Sequence, residues 1–154
     1  MKVLIFDLDD TLLMSNSYKR YSDIRPNNYL KYLLKKHPNK KFIYTNGTYS
    51  HGKDSLNAMK CKDSFQKIYG RDTLPYMKPD FKSFNYVNND ILYNHNLFDK
   101  RIFFDDLQEN LKTAHYIGWE TVWIHPQANN NMKANYVDHA YTDVIDALHS
   151  IDLN

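Results

Sequence analysis

Four short stretches of this chain carry side chains that could do chemistry. Asp7-Leu8-Asp9-Asp10-Thr11 packs three carboxylates and a hydroxyl together. Thr45-Asn46-Gly47 adds a hydroxyl and an amide, Lys78 an ammonium ahead of Pro79, and Asp105-Asp106 two more acids. Carboxylates brought close to one another repel unless a cation lies among them. Oxygen donors with no Cys or His pattern beside them select a hard ion, and Mg²⁺ is the expected one. A divalent cation, an ammonium and a hydroxyl together suit a phosphoryl group, whose oxygens need positive charge and hydrogen-bond donors. Taken singly, each stretch has a plain structural explanation. Asp9-Asp10-Thr11 would be turn and cap residues, Asp105-Asp106 a helix start, Lys78 a solvated lysine and Thr45-Asn46-Gly47 a turn. The case for chemistry lies in where the chain must place them.

That placement follows from the elements around them. Val3-Leu4-Ile5-Phe6 is an unbroken apolar run, the pattern of a strand buried on both faces. An unpaired charge is too costly inside such a strand, so the acids must lie where it emerges. Phe42-Ile43-Tyr44, Ile102-Phe103-Phe104 and residues 121–124 repeat the pattern, with a weaker strand over 65–69. Between them the spacing predicts helices. One starts near Pro26 with Tyr29, Leu30, Leu33 and Leu34 apolar at helical spacing, and one lies within 52–60 with Leu56 and Met59 inward. Another runs from Phe81 to Leu92, one ends at Gly118, and a last one, capped by Thr142, has Val144, Ile145, Leu148 and Ile151 on its inner face. Residues 14–23 read as a loop or small flap and 127–135 as a surface loop. The alternation predicts a single α/β domain over 1–154: a three-layer α/β/α sandwich, Rossmann-like, with a parallel sheet of about five strands. Right-handed crossovers bring the strand ends to one edge. That is the carboxyl edge, where open α/β sheets bind their ligands.

With these motifs in this order, the chain resembles the haloacid dehalogenase superfamily on its phosphatase side. The resemblance covers nearly the whole chain through Asp7-Leu8-Asp9-Asp10-Thr11, Thr45, Lys78 and Asp105-Asp106. It implies that Asp7 is a nucleophile forming an aspartyl-phosphate. Asp9 would be the general acid and base, with its backbone carbonyl on the metal. Thr11 would fix the loop. Thr45, Asn46 and Lys78 would hold the phosphoryl oxygens, and Lys78 would also neutralise the nucleophile. Asp7, Asp9, Asp106 and Asp105 would form the Mg²⁺ site, Asp106 directly and Asp105 either directly or through water. An acid at the position of Asp9 sets the chain apart from the superfamily's dehalogenases, which lack one, and from its ATPases, which carry threonine there. A narrower similarity to pyrimidine 5'-nucleotidases rests on Arg25-Pro26, Thr45-Asn46-Gly47, Lys78-Pro79, Phe104-Asp105-Asp106, Asn110 and Gly118-Trp119. The stretches from Leu12 to Thr45 and from Thr45 to Lys78 are filled by their helices and strand, so no cap domain is expected.

The rest of the composition bounds the function. Apolar residues make up 42% and charged residues 25%, as in ordinary globular proteins. A net charge of +2 gives no support to a nucleic-acid partner. The single cysteine, Cys61, excludes an internal disulfide. No apolar run approaches the roughly 18–20 residues of a membrane span, and the N-terminal run has none of a signal peptide's length. A cytoplasmic protein with a phosphorylated substrate and no membrane partner is expected. His51, His115, His125 and His139 lack metal-ligand spacing and read as surface or satisfied residues. The expected function is a Mg²⁺-dependent phosphomonoester hydrolase acting on a nucleotide or another small ester. The alternatives are a phosphatase of a macromolecule (a phosphoprotein or a nucleic-acid 3'-phosphate) and a phosphate-binding module without turnover.

Overall fold

The computed structural model describes residues 1–154. Six strands form one parallel sheet: β1 (Val3–Phe6), β2 (Lys41–Tyr44), β3 (Lys67–Tyr69), β4 (Arg101–Asp105), β5 (Glu120–Ile124) and β6 (His139–Tyr141). Their order is β3-β2-β1-β4-β5-β6. The α-helices are α1 (Asn28–Lys36), α2 (Tyr49–Ala58), α3 (Phe81–Asn89), α4 (Gln108–Tyr116) and α5 (Val144–Ser150). A π-turn over Asp90–Asn94 continues α3.

β1 is central. Ile5 pairs with Phe42 of β2 on one side and Phe103 of β4 on the other. The chain leaves β1 outward through β2 and β3, then returns to β4. The carboxyl end of β1 therefore lies where the strand order reverses, and such a switch point opens a crevice for a ligand. Alternate residues of β1 face opposite ways. Leu4 and Phe6 pack among Leu30 and Leu33 of α1, Leu56 of α2 and Leu148 of α5. Val3 and Ile5 pack among Phe84 and Val87 of α3 and Leu111 and Ala114 of α4. This double burial is why β1 shows no polar alternation. Each such side chain contributes about 1.5–3 kcal/mol, which anchors the strand under the acidic loop.

The three-layer sandwich matches the sequence pattern; the sheet has six strands rather than about five. The additional strand, β6, is His139-Ala140-Tyr141, and only Ala140 of the three is buried. It has no apolar run to read. Pairing with β5 forms it, helped by Asn130, whose Oδ1 accepts from the Ala140 N–H at 2.7 Å. Two helix starts also differ. α5 is capped by Asp143, which accepts from the Asp146 N–H at 2.9 Å, and not by Thr142. α2 begins earlier than expected because Thr48 caps it, accepting from the His51 N–H at 3.1 Å. Gly118 follows α4 at φ +89, and a Cβ there would meet nothing, so the backbone sign alone calls for glycine. Residues 14–23 form two single 3₁₀ turns, Ser15–Ser17 and Tyr21–Asp23. No cap domain interrupts the connections that follow β1 and β2. No helix is long and apolar enough to cross a membrane.

Candidate active site

Beyond β1 the chain turns back on itself. The N–H groups of Thr11, Leu12 and Leu13 converge on the Leu8 carbonyl at 3.2, 2.9 and 3.1 Å. Asp10 takes φ 64, a left-handed position that a short polar side chain tolerates. Its carboxylate accepts from the Ser15 N–H at 2.8 Å and locks the turn. The result aims Asp7 and Asp9 into one cavity of about 260 Å³, shared with Thr45, Asn46, Lys78 and Asp106. All the expected site residues but Asp105 line it.

Lys78 ties the site together. Its side chain is 1% exposed, and Nζ donates to Asp7 Oδ1 at 3.1 Å, Asp105 Oδ2 at 2.8 Å and the Tyr44 carbonyl at 2.8 Å. It also sits over the rings of Tyr44 and Phe103. Burial works against its charge, but Asp105 and Asp7 outweigh burial and hold the ammonium above its ordinary value. Asn46 fixes the backbone here. Its Nδ2 donates to the Lys78 carbonyl and its Oδ1 accepts from the Lys78 N–H, both at 2.9 Å. The Asn46 side chain, expected on the phosphoryl oxygens, is thus turned to the lysine loop.

Asp7, Asp105 and Asp106 bring carboxylate oxygens within 4.8 Å of one another. Asp105 is fully buried beneath the cavity. Its Oδ1 accepts from the Leu107 N–H at 2.9 Å, and its Oδ2 from Lys78 and from Asn110 Nδ2 at 3.1 Å. Asp106 faces the cavity. Asp7 accepts from the Thr11 hydroxyl at 3.0 Å. Burial, then the charge of Asp105, hold the Asp7 carboxyl well above its ordinary value, with Lys78 opposing only in part. Burial and Asp105 push Asp106 up to about 6. One ammonium does not balance three carboxylates, so the cluster has a surplus of negative charge. The Oδ1 of Asn110, buried beside it, has no partner. Oxygen donors, surplus charge and an unpartnered acceptor fit a hard divalent cation.

Thr45 is buried and its Oγ1 accepts from the Gly47 N–H at 3.0 Å, leaving its own O–H to donate. The Asp9 carboxylate stands apart from the acid cluster. Both its oxygens lie 3.0 Å from His51 Nε2, and His51 Nδ1 lies 2.8 Å from the Tyr21 hydroxyl. His51, expected to be a surface or satisfied histidine, is thus beside the cavity on the first turn of α2. Its signal was positional: it follows Thr45-Asn46-Gly47 closely enough to stay at the sheet's carboxyl edge. Tyr21 carried no signal.

A family model described as haloacid dehalogenase-like hydrolase matches residues 16–124. The chain belongs to that family. The match starts after Asp7 and Asp9, whose place in the site therefore rests on the geometry above. Among solved structures, this haloacid dehalogenase-like hydrolase is similar to the putative HAD-hydrolase YfnB from Bacillus subtilis bound to magnesium. The TM-score is 0.67 at 16% identity, over 96% of this chain and 97% of that one. It is also similar to a predicted phosphoglycolate phosphatase from Haemophilus somnus 129PT, at TM-score 0.64 and 26% identity over 81% of this chain and 56% of that one. A third is L-2-haloacid dehalogenase from Xanthobacter autotrophicus, with chloropropionic acid covalently bound, at TM-score 0.65 and 14% identity over 84% of this chain and 62% of that one. The chain thus spans little more than half the length of the last two. No curated protein matches the sequence. Phosphatases and dehalogenases share this fold, so the fold leaves the reaction to the site residues.

Proposed function

We propose that this hydrolase is a Mg²⁺-dependent phosphomonoesterase working through an aspartyl-phosphate on Asp7. The observation that carries the reading is the meeting of Asp7, Asp9, Thr45 and Lys78 in one cavity, with a second carboxyl beside the nucleophile's position. Asp7, Asp106 and the Asp9 backbone carbonyl would hold Mg²⁺, which when bound offsets the charge of the carboxylates and of the phosphoryl group. Asp105, fully engaged beneath the cavity, would orient Lys78 and act on the metal from behind.

The protein's own groups then divide the work. Lys78 holds Asp7 Oδ1 and Thr11 holds Oδ2, which fixes the attacking carboxylate. The Thr45 hydroxyl and neighbouring N–H groups take the phosphoryl oxygens. An Asp7 oxygen attacks phosphorus, the bond from phosphorus to the leaving oxygen breaks, and Asp9 gives that oxygen its proton. Asp9, now a carboxylate, takes a proton from water as the water attacks phosphorus and frees Asp7. The same carboxyl serves both halves of the cycle. A dehalogenase, which releases halide, has no use for that acid.

Turnover of an aryl phosphate, with and without Mg²⁺, tests the proposal beside Asp7→Asn and Asp9→Asn. Metal-dependent release in the wild type, lost in Asp7→Asn and reduced ~10²–10⁴-fold in Asp9→Asn, is expected. Equal rates in wild type and Asp7→Asn would sink the reading. A panel of nucleotides, sugar phosphates, phosphopeptides and phosphorylated oligonucleotides then assigns the substrate class.

A further inference from the structure

We infer that His51, held from behind by Tyr21, positions the carboxylate of Asp9 for proton transfer. The inference rests on the phosphatase reading above. A carboxylate only accepts hydrogen bonds. The 3.0 Å contacts from both Asp9 oxygens to His51 Nε2 therefore make Nε2 the donor. The other ring nitrogen faces the Tyr21 hydroxyl at 2.8 Å, so both ends of the imidazole are engaged.

The surroundings hold the ring in this pose. The His51 N–H is tied to Thr48 Oγ1 at 3.1 Å. Tyr21 sits in a turn closed by Ile24 N–H to the Tyr21 carbonyl at 3.1 Å and by Asp23 on the Arg20 N–H at 3.1 Å. Gly47 leaves room for the ring: a Cβ there would lie 3.0 Å from His51 Cδ2 and 3.3 Å from Thr45 Oγ1. The short polar segment after Asp9 and the first turn of α2 thus meet over Asp9 through two side chains.

The contact matters because the Asp9 side chain is 35% exposed, whereas Asp7 and Asp105 are fixed by burial. A hydrogen bond to an ionised group is among the stronger ones. Donation to both oxygens fixes the plane of the carboxyl and so the direction in which it presents its proton. His51 touches no reacting atom in this scheme. It acts through Asp9, as a positioning residue.

The readout is kcat/KM on two esters, since kcat/KM reports the steps up to the phospho-enzyme. An alkyl phosphate needs its leaving oxygen protonated; dinitrophenyl phosphate does not. A misplacement of about 1 Å can cost ~10²-fold. His51→Leu is expected to lower kcat/KM on the alkyl ester ~10–100-fold and on the dinitrophenyl ester less than about threefold. Tyr21→Phe shifts the ratio the same way by less. His51→Gln, whose amide N–H can stand in for Nε2–H, recovers most of the alkyl activity. Thermal unfolding confirms that each variant is folded, and Tyr21→Phe keeps the test open if His51→Leu is not. An unchanged ratio in His51→Leu and Tyr21→Phe, or an equal loss on both esters, overturns the inference and leaves the phosphatase reading standing. No turnover of either ester by the wild type overturns both.

Discussion

Replacing Lys78 by methionine keeps the length of the side chain and removes its charge. The ammonium is buried, with a carboxylate oxygen at 3.1 Å on Asp7 and another at 2.8 Å on Asp105. At an effective dielectric of about 20, each contact is worth ~5 kcal/mol before desolvation is subtracted. Desolvation of three buried charges takes back much of that sum. What remains is the cost of leaving two carboxylates facing each other, and breaking a buried pair costs about 3–5 kcal/mol. Proton uptake by Asp7, whose carboxyl burial and Asp105 already hold well above its ordinary value, limits the loss at neutral pH. For a domain of this size the change corresponds to a drop of about 6–20 °C in Tm. Urea unfolding followed by far-UV circular dichroism at pH ~7 in EDTA measures it. Adding Asp7→Asn to Lys78→Met should recover part of the loss, because the facing charge is gone. A Lys78→Met protein within about 1 kcal/mol of wild type, or no recovery in the double variant, would refute the reasoning that one ammonium holds this cluster together.

Asp7→Asn alone is expected to cut turnover at least ~10³-fold while raising the urea midpoint of the metal-free protein, since folding holds the Asp7 carboxyl above its ordinary value and so disfavours its ionised form. For Asp106, the folded state keeps a proton to about pH 6 that the unfolded chain releases near 3.8. Its contribution is therefore full below the lower value and is lost as pH rises through the higher one. In urea midpoints between these limits, Asp106→Asn should remove that part of the decline, and millimolar Mg²⁺ should flatten it. Asp90 runs the other way. Burial raises its carboxyl, but Lys67, Tyr69 and Asn94 outweigh burial and hold it at about 2. Its contribution is present above the ordinary carboxylate value and lost as pH falls towards 2. Asp90→Asn should cost about 2 kcal/mol at neutral pH, chiefly through the Tyr69 hydroxyl because Lys67 is well exposed, and nothing near pH ~2.

The strands that carry the motifs were legible because a strand buried on both faces leaves an unbroken apolar run. Val3–Phe6 and Ile102–Phe104 each run at once into acids that such a strand cannot keep unpaired; β4 keeps Asp105 fully buried only because Lys78 pairs with it. Burial cost and the right-handed crossovers of a parallel sheet therefore put Asp7 and Asp105-Asp106 at one edge, with Thr45 and Lys78 brought there by the same alternation. β6 was not legible, because a three-residue edge strand with one buried side chain has no pattern of its own and exists by pairing. The division of labour between Asp105 and Asp106 was hidden too. Both are the same residue type at adjacent positions, and only packing shows one beneath the cavity under Lys78 and the other facing into it. Asn46 reads as a phosphate ligand until the path of the Lys78 loop brings a peptide group against its amide. His51 and Tyr21 are the extreme case: each is an ordinary polar residue, far apart in the chain, and their meeting at Asp9 depends on how a patternless segment lies over α2. The sequence by itself determined which polar groups gather at the sheet's carboxyl edge, since the cost of burying an unpaired charge places them at the strand ends. Only the tertiary structure decided what holds those groups in place, because a hydrogen bond between distant polar side chains leaves no periodicity to read.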